Sequence, residues 1–116
     1  MFDLKDLFGG NTGCKHISPK EVKTRLETEH GLVLLDVRSP REYEKVHIPG
    51  SINLPLDQVG VRAASILLDK NTTIFVYCLS GGRSSSACGL LIKMGYENVY
   101  NLGGIGSWPY DTEKSS

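Results

Sequence analysis

The sequence predicts an α/β fold in which a mainly parallel sheet lies between helical layers. Three observations predict it. Residues 32–36 (LVLLD) and 73–77 (TIFVY) are unbroken apolar runs of strand length, the pattern of strands covered on both faces. Ser18-Pro19-Lys20-Glu21 and Ser39-Pro40-Arg41-Glu42 each supply an N-cap hydroxyl, a proline at the first helical position and a capping-box glutamate. The remaining segments alternate between the two kinds of element.

Taken in order, residues 1–13 end in GGNTG, a breaker-rich stretch expected to form a loosely held arm before a domain of residues 14–110. Its apolar Phe2, Leu4, Leu7 and Phe8 have the domain or a second copy as candidate packing partners. A short strand is expected near residues 15–17, then a helix to about Glu29 with Val22 and Leu26 on one face, stopped by Gly31. The strand of residues 32–36 follows, then a short helix over residues 40–45, a turn at His47-Ile48-Pro49-Gly50 and a short strand over residues 51–54. Val59, Ala63, Ile66 and Leu67 recur at helical spacing within residues 57–68, although Gly60 weakens that helix. After the strand of residues 73–77 and a glycine-bearing loop, Ala87, Leu90, Leu91 and Met94 form the apolar face of a helix that Gly95 ends. Residues 98–100 read as a last short strand, 103–108 as an irregular closing segment, and 111–116 as a polar, frayed tail.

Composition excludes several function classes. A chain of 116 residues fits one domain, burying roughly two thirds of its unfolded surface. With 40% apolar and 22% charged residues it reads as globular rather than disordered or membrane-embedded. Thirteen basic residues balance thirteen acidic ones, so no overall field gathers nucleic acid or an anionic membrane. Asp3, Lys5 and Asp6 interrupt any signal-like apolar core, and no run approaches the ~20 apolar residues of a span, so a soluble, cytoplasmic protein is expected. Cys14, Cys78 and Cys88 are an odd set without disulfide-framework spacing, which suits a reducing compartment and at least one free thiol. His16 and His30 are isolated, no cysteine pair has zinc spacing, and Gly103-Gly104-Ile105-Gly106 lacks the dinucleotide pattern; neither metal nor cofactor is expected.

Chemistry concentrates at Cys78-Leu79-Ser80-Gly81-Gly82-Arg83. Cys78 follows a buried strand and precedes a helix, so loop N–H groups and a helix start face its sulfur and favour the thiolate. Gly81 and Gly82 suit a tight loop whose angles a Cβ would obstruct. Asp36 and Arg38 end the neighbouring strand on the same sheet edge, where open parallel sheets bind ligands. Arg83 has two readings, facing an anionic donor or bracing the loop against a carboxylate such as Glu42, with a mixture weighted to bracing favoured. Arg38 and Arg41 read either as positive charge at the mouth or as solvated partners of Glu42 or Glu44. Asp36 reads as a loop-holding acceptor, His47 as a structural hydrogen-bonding residue rather than a general base, and Trp108 as a packing lid. Cys88 reads as core, with a resolving thiol as the alternative, and Cys14 as an incidental thiol.

Leu35-Asp36-Val37-Arg38, Glu42-Tyr43, the run from His47 to Pro55, Tyr77-Cys78-Leu79-Ser80-Gly81-Gly82-Arg83-Ser84, and Leu102-Gly103-Gly104 with Trp108 together resemble the rhodanese family over residues 16–108. One departure is Val46, where the family usually has glycine before its turn. The resemblance implies a three-layer fold with a five-stranded parallel sheet and sulfane-sulfur transfer through a persulfide on Cys78, cradled by Leu79, Ser80, Gly81, Gly82 and Arg83. The implied partners are a small anionic donor such as thiosulfate and a thiol or cyanide acceptor, or a protein persulfide. A carrier or partner-docking module of the same fold is the alternative. Cysteine phosphatases and arsenate reductases of this architecture place five residues between cysteine and arginine; here there are four, a cradle better fitted to one sulfur than to a tetrahedral phosphate.

Overall fold

The computed structural model describes residues 14–115. The arm expected at residues 1–13 lies outside them.

Both capping signals open helices. Ser18 Oγ accepts the Glu21 N–H at 3.1 Å at the start of α1 (Pro19–Thr28). Ser39 and Glu42 exchange both bonds of a capping box at α2 (Pro40–Lys45). Helix α3 (Leu56–Ile66) is uncapped by side chains and begins after Pro55, while α4 (Gly82–Lys93) begins after Gly81.

Strands β1 (Lys15–His16), β2 (Val33–Asp36), β3 (Ile52–Asn53), β4 (Thr73–Cys78) and β5 (Asn98–Gly104) form one parallel sheet in the order β1-β5-β4-β2-β3. The five-stranded parallel sheet between helical layers that the resemblance implies is present. Strand β5 runs four residues past the predicted end at 100, because a register shift opposite Val76/Tyr77 lets it continue beside β4 and sets Cys78 opposite Gly104.

Strand alternation assigns the core to two layers. Ile74, Val76 and Cys78 of β4 pack with Leu35, Val59, Ala63, Ala87, Cys88 and Leu91. Phe75 and Tyr77 point to the other face, with Val22, Leu34, Ile48, Leu102 and Trp108. Each fully buried Val, Leu, Ile or Phe side chain among these contributes about 1.5–3 kcal/mol relative to exposure. Trp108 thus packs as expected, its Nε1–H donating to the Asp111 carbonyl at 3.1 Å.

Three further sequence expectations change. Cys14 and Cys88 form a disulfide, with Cα atoms 5.9 Å apart across 74 residues of chain, leaving Cys78 free. Cys88 is core as expected but is no spare thiol, and the case for a reducing compartment from unpaired cysteines loses its basis. Spacing hides the pair because β1 reaches α4 only through the sheet. Second, residues 111–115 are held rather than frayed: His47 and Glu113 exchange backbone bonds at 2.8 and 2.9 Å, and the Ser115 N–H reaches the Glu44 carbonyl at 2.9 Å. Third, Arg38 is neither at the mouth nor solvated. It is 2% exposed and clamps Asp36, which is wholly buried. No helix among the described residues is long and apolar enough to cross a membrane.

Candidate active site

Cys78 ends β4, and the chain turns at once into α4, so the sulfur lies where strand, loop and helix start converge. Cys78 is 1% exposed. Gly81 N–H points at Sγ from 2.9 Å, and Ser84 Oγ lies 3.4 Å away. Burial pushes the Cys78 thiol up, but the Ser84 hydroxyl and the N–H groups of Ser84, Gly81 and Ser80 outweigh it, and its pKa falls below the ordinary cysteine value. Ser84 is itself buried, within 2.7 Å of Asn101 Oδ1 and 3.0 Å of the Gly81 carbonyl. Its single hydroxyl proton therefore has alternative acceptors, of which the thiolate is the anionic one. Asn101 Oδ1 also accepts the Gly103 N–H at 2.9 Å, which fixes the amide.

The loop keeps its path for two reasons. Gly81 has φ of +106°, a left-handed conformation that side chains resist, and stands as the N-cap of α4. Gly104, on β5, has the Leu79 carbonyl where a Cβ would go. Gly82, by contrast, has no described residue near its missing Cβ and an ordinary φ, so the expectation that both loop glycines are required holds only for Gly81. Leu79 and Ser80 are exposed at the tip.

Arg83 forms a two-pronged pair with Glu42, Nη1 to Oε1 at 2.7 Å and Nη2 to Oε2 at 2.9 Å. The guanidinium and the Ser39 N–H hold the Glu42 carboxyl down to about 2. This ties the loop to α2. Asp36 accepts from the Arg38 backbone and guanidinium at 2.7–3.1 Å, and Arg38 also donates to the Val46 carbonyl at 2.5 Å. Arg41 is exposed and has no ion-pair partner among the described residues.

His47 stands apart from the cysteine loop. Its Nδ1 meets the Tyr43 carbonyl at 2.7 Å, its Nε2 meets Glu113 at 3.1 Å, and its ring stacks on Tyr43 at 3.8 Å. The turn it begins is fastened from below by Tyr77, whose hydroxyl accepts the Ile48 N–H at 3.0 Å and meets Ser51 Oγ at 2.9 Å. Burial raises the Tyr77 pKa, so that hydroxyl stays neutral.

Sequence reasoning places Asp36 with Arg38 and Cys78 with Arg83 on one sheet edge and names Glu42 as a partner for Arg83, but misses Ser84, Asn101 and Gly104. Ser84 had a signal, since it lies one helical turn after Gly81 and must share its side of α4. Asn101 also had one, as a polar residue in what proves to be the middle of a covered strand. No group of three or more potential metal ligands occurs among the described residues.

The sequence matches the profile of the Rhodanese-like domain over residues 18–109. The chain belongs to the rhodanese-like family. This rhodanese-like domain is 45% identical over 71 residues to thiosulfate sulfurtransferase PspE of Escherichia coli (strain K12), an alignment covering 61% of this chain and 68% of that protein. It is 39% identical over 98 residues to the putative sulfur carrier protein YrkF of Bacillus subtilis (strain 168), covering 84% of this chain and 52% of that one. The crystal structure of the Alr3790 protein from Anabaena superposes with a TM-score of 0.79 at 34% identity, over 85% of the rhodanese-like chain and 92% of its counterpart.

Proposed function

We propose that the protein is a sulfurtransferase that carries a sulfane sulfur on Cys78. The observation that carries this reading is the Cys78 sulfur, free, lowered in pKa and faced by the Gly81 N–H at 2.9 Å at the end of β4. A stabilised thiolate is the attacking species such transfer needs. It attacks the outer sulfur of thiosulfate or a similar donor; the new bond forms to Sγ, the donor's S–S bond breaks, and the electron pair leaves on sulfite. A thiolate or cyanide then attacks the outer sulfur of the persulfide, and the Sγ–S pair returns to Cys78. The loop N–H groups stabilise negative charge on sulfur in both halves, as an oxyanion hole does. Similarity to a named thiosulfate sulfurtransferase supports this reading.

Incubation with thiosulfate followed by intact mass measurement tests it. Gain of one sulfur atom, removable by reductant and absent in Cys78→Ser, is expected; no gain with thiosulfate, a mercaptopyruvate-like donor or a protein persulfide overturns it. Carriage of the persulfide for a partner protein is the second reading, supported by similarity to the putative sulfur carrier. Steady-state turnover with cyanide and with thiols separates the two.

A further inference from the structure

A groove of about 590 Å³ opens beside the cysteine loop, lined by Val37, Pro40, Pro55 and Leu56 with Asp57 and Arg83 among its polar members. That size lies within the range of ligand pockets and is far larger than a cyanide or thiosulfate ion requires. The groove reaches the nucleophile's loop through two of its lining residues. Val37 donates its N–H to the Tyr77 carbonyl at 3.1 Å, shares one buried cluster with Cys78, and Arg83 belongs to both groove and loop. The Leu56 N–H donates to the Val37 carbonyl at 3.0 Å, which ties the start of α3 to the end of β2.

Its described side chains offer an anion no free cation. Among the described residues Arg83 is the only cation in the lining, and both of its terminal nitrogens are engaged by Glu42. Asp57 is exposed and has no ion-pair partner among the described residues, so a carboxylate stands at the rim. Next to Cys78 the loop presents Leu79, 54% exposed, rather than a charged side chain.

The geometry points to an organic thiol with an apolar, non-anionic body as the acceptor, its body seated against Val37, Pro40, Pro55 and Leu56 and its sulfur directed to Cys78. This rests on the persulfide reading above and names its acceptor. The thiolate of the acceptor attacks the outer sulfur of the Cys78 persulfide, an S–S bond to the acceptor forms, the Sγ–S bond breaks, and its electron pair remains on Sγ. The product is an organic persulfide, and no net oxidant or reductant is consumed.

Two measurements on the full chain test it. In single-turnover discharge of the Cys78 persulfide, rates corrected for thiolate fraction are expected to saturate at least tenfold lower in concentration for phenylmethanethiol than for mercaptoethanol. Mercaptoacetate should be the weakest of the three. Leu56→Gln should lower the ratio of phenylmethanethiol to cyanide discharge at least fivefold, and Asp57→Lys should improve mercaptoacetate relative to mercaptoethanol. Equal dependence on all three thiols, or ratios untouched by both substitutions, overturns the proposal. Independently of any sulfur chemistry, the inert thioether benzyl methyl sulfide should shift the NMR signals of Leu56 and Gln58 in Cys78→Ser; no shift overturns the groove assignment. If Cys78 never loads with sulfur while the thioether binds, the transfer reading fails and the apolar groove stands.

Discussion

The Leu79 carbonyl oxygen occupies the place where a Cβ on Gly104 would stand. The strand opposite Cys78 thus accommodates the loop by lacking a side chain, and the pairing of Cys78 with Gly104 across the register shift makes that meeting possible. Gly104 has φ of −98°, which any residue adopts, so its requirement is space and not backbone freedom.

Gly104→Ala should therefore displace the loop, destabilising by about 1–3 kcal/mol as overpacking does, and reduce Cys78 alkylation. Gly82→Ala supplies the contrast. With no described residue near its missing Cβ and an ordinary φ, it should be neutral or stabilise by up to about 1 kcal/mol. Urea denaturation of the two variants measures the difference, and equal losses would show that the loop's position does not depend on Gly104.

Ser84→Ala removes the buried hydroxyl 3.4 Å from Cys78 Sγ. Since that group lowers the thiol pKa, the pKa should rise and the iodoacetamide rate at neutral pH should fall about tenfold, the lower end for a hydrogen bond to an anion. The pH profile should move to higher pH with its plateau rate kept; a lowered plateau with an unmoved profile would mean Ser84 acts only through loop structure.

Glu42, held down to about 2 against an ordinary 4.5, contributes stability that is complete above pH 4.5 and lost as pH falls through about 2. Glu42→Gln should lose that acid-range dependence. The cost at neutral pH should be only about 0–1 kcal/mol, because the pair is partly exposed. The substitution also releases Arg83, so the KM for thiosulfate should fall if the freed guanidinium turns to the donor; an unchanged KM would mark Arg83 as a brace alone.

Arg38→Met leaves the Asp36 carboxylate buried without its partner. A loss of about 3–5 kcal/mol is expected, as for other broken buried pairs. Thermal unfolding checks this, and a loss under 1 kcal/mol would mean Asp36 finds other donors.

The Cys14–Cys88 link should be visible as one titratable thiol in denaturant before reduction and three after it. Closing a loop of 74 residues is worth about 2–4 kcal/mol, so reductant should lower the urea midpoint of the wild type but not of a Cys14→Ser, Cys88→Ser double variant. Three thiols before reduction would show the pair to be merely adjacent.

How much of this was legible follows from the range of each interaction. The caps at Ser18 and Ser39, the apolar strands and the strand–loop–helix at Cys78 are local, and residue order alone states them. The Arg83–Glu42 pair was within reach because both residues carry recognisable signals, a loop end and a capping box. The Cys14–Cys88 disulfide, the Asp36–Arg38 clamp and the Glu113 strap are different. Each depends on which surfaces the crossovers bring together, or on whether a side chain turns inward after the strand ends, and neither is written in spacing. Gly104 reads in sequence only as part of a glycine run, because the reason for it lies in the loop that follows another strand.

The alternation along β4 has a consequence for mutational surveys. Cys78 shares its layer with Leu91 and Ala87, whereas Tyr77 shares the other with Leu34 and Ile48. Core variants should consequently sort into two phenotypes, one felt at the sulfur and one at the His47 turn. Neighbours in sequence would then behave less alike than residues separated by half the chain.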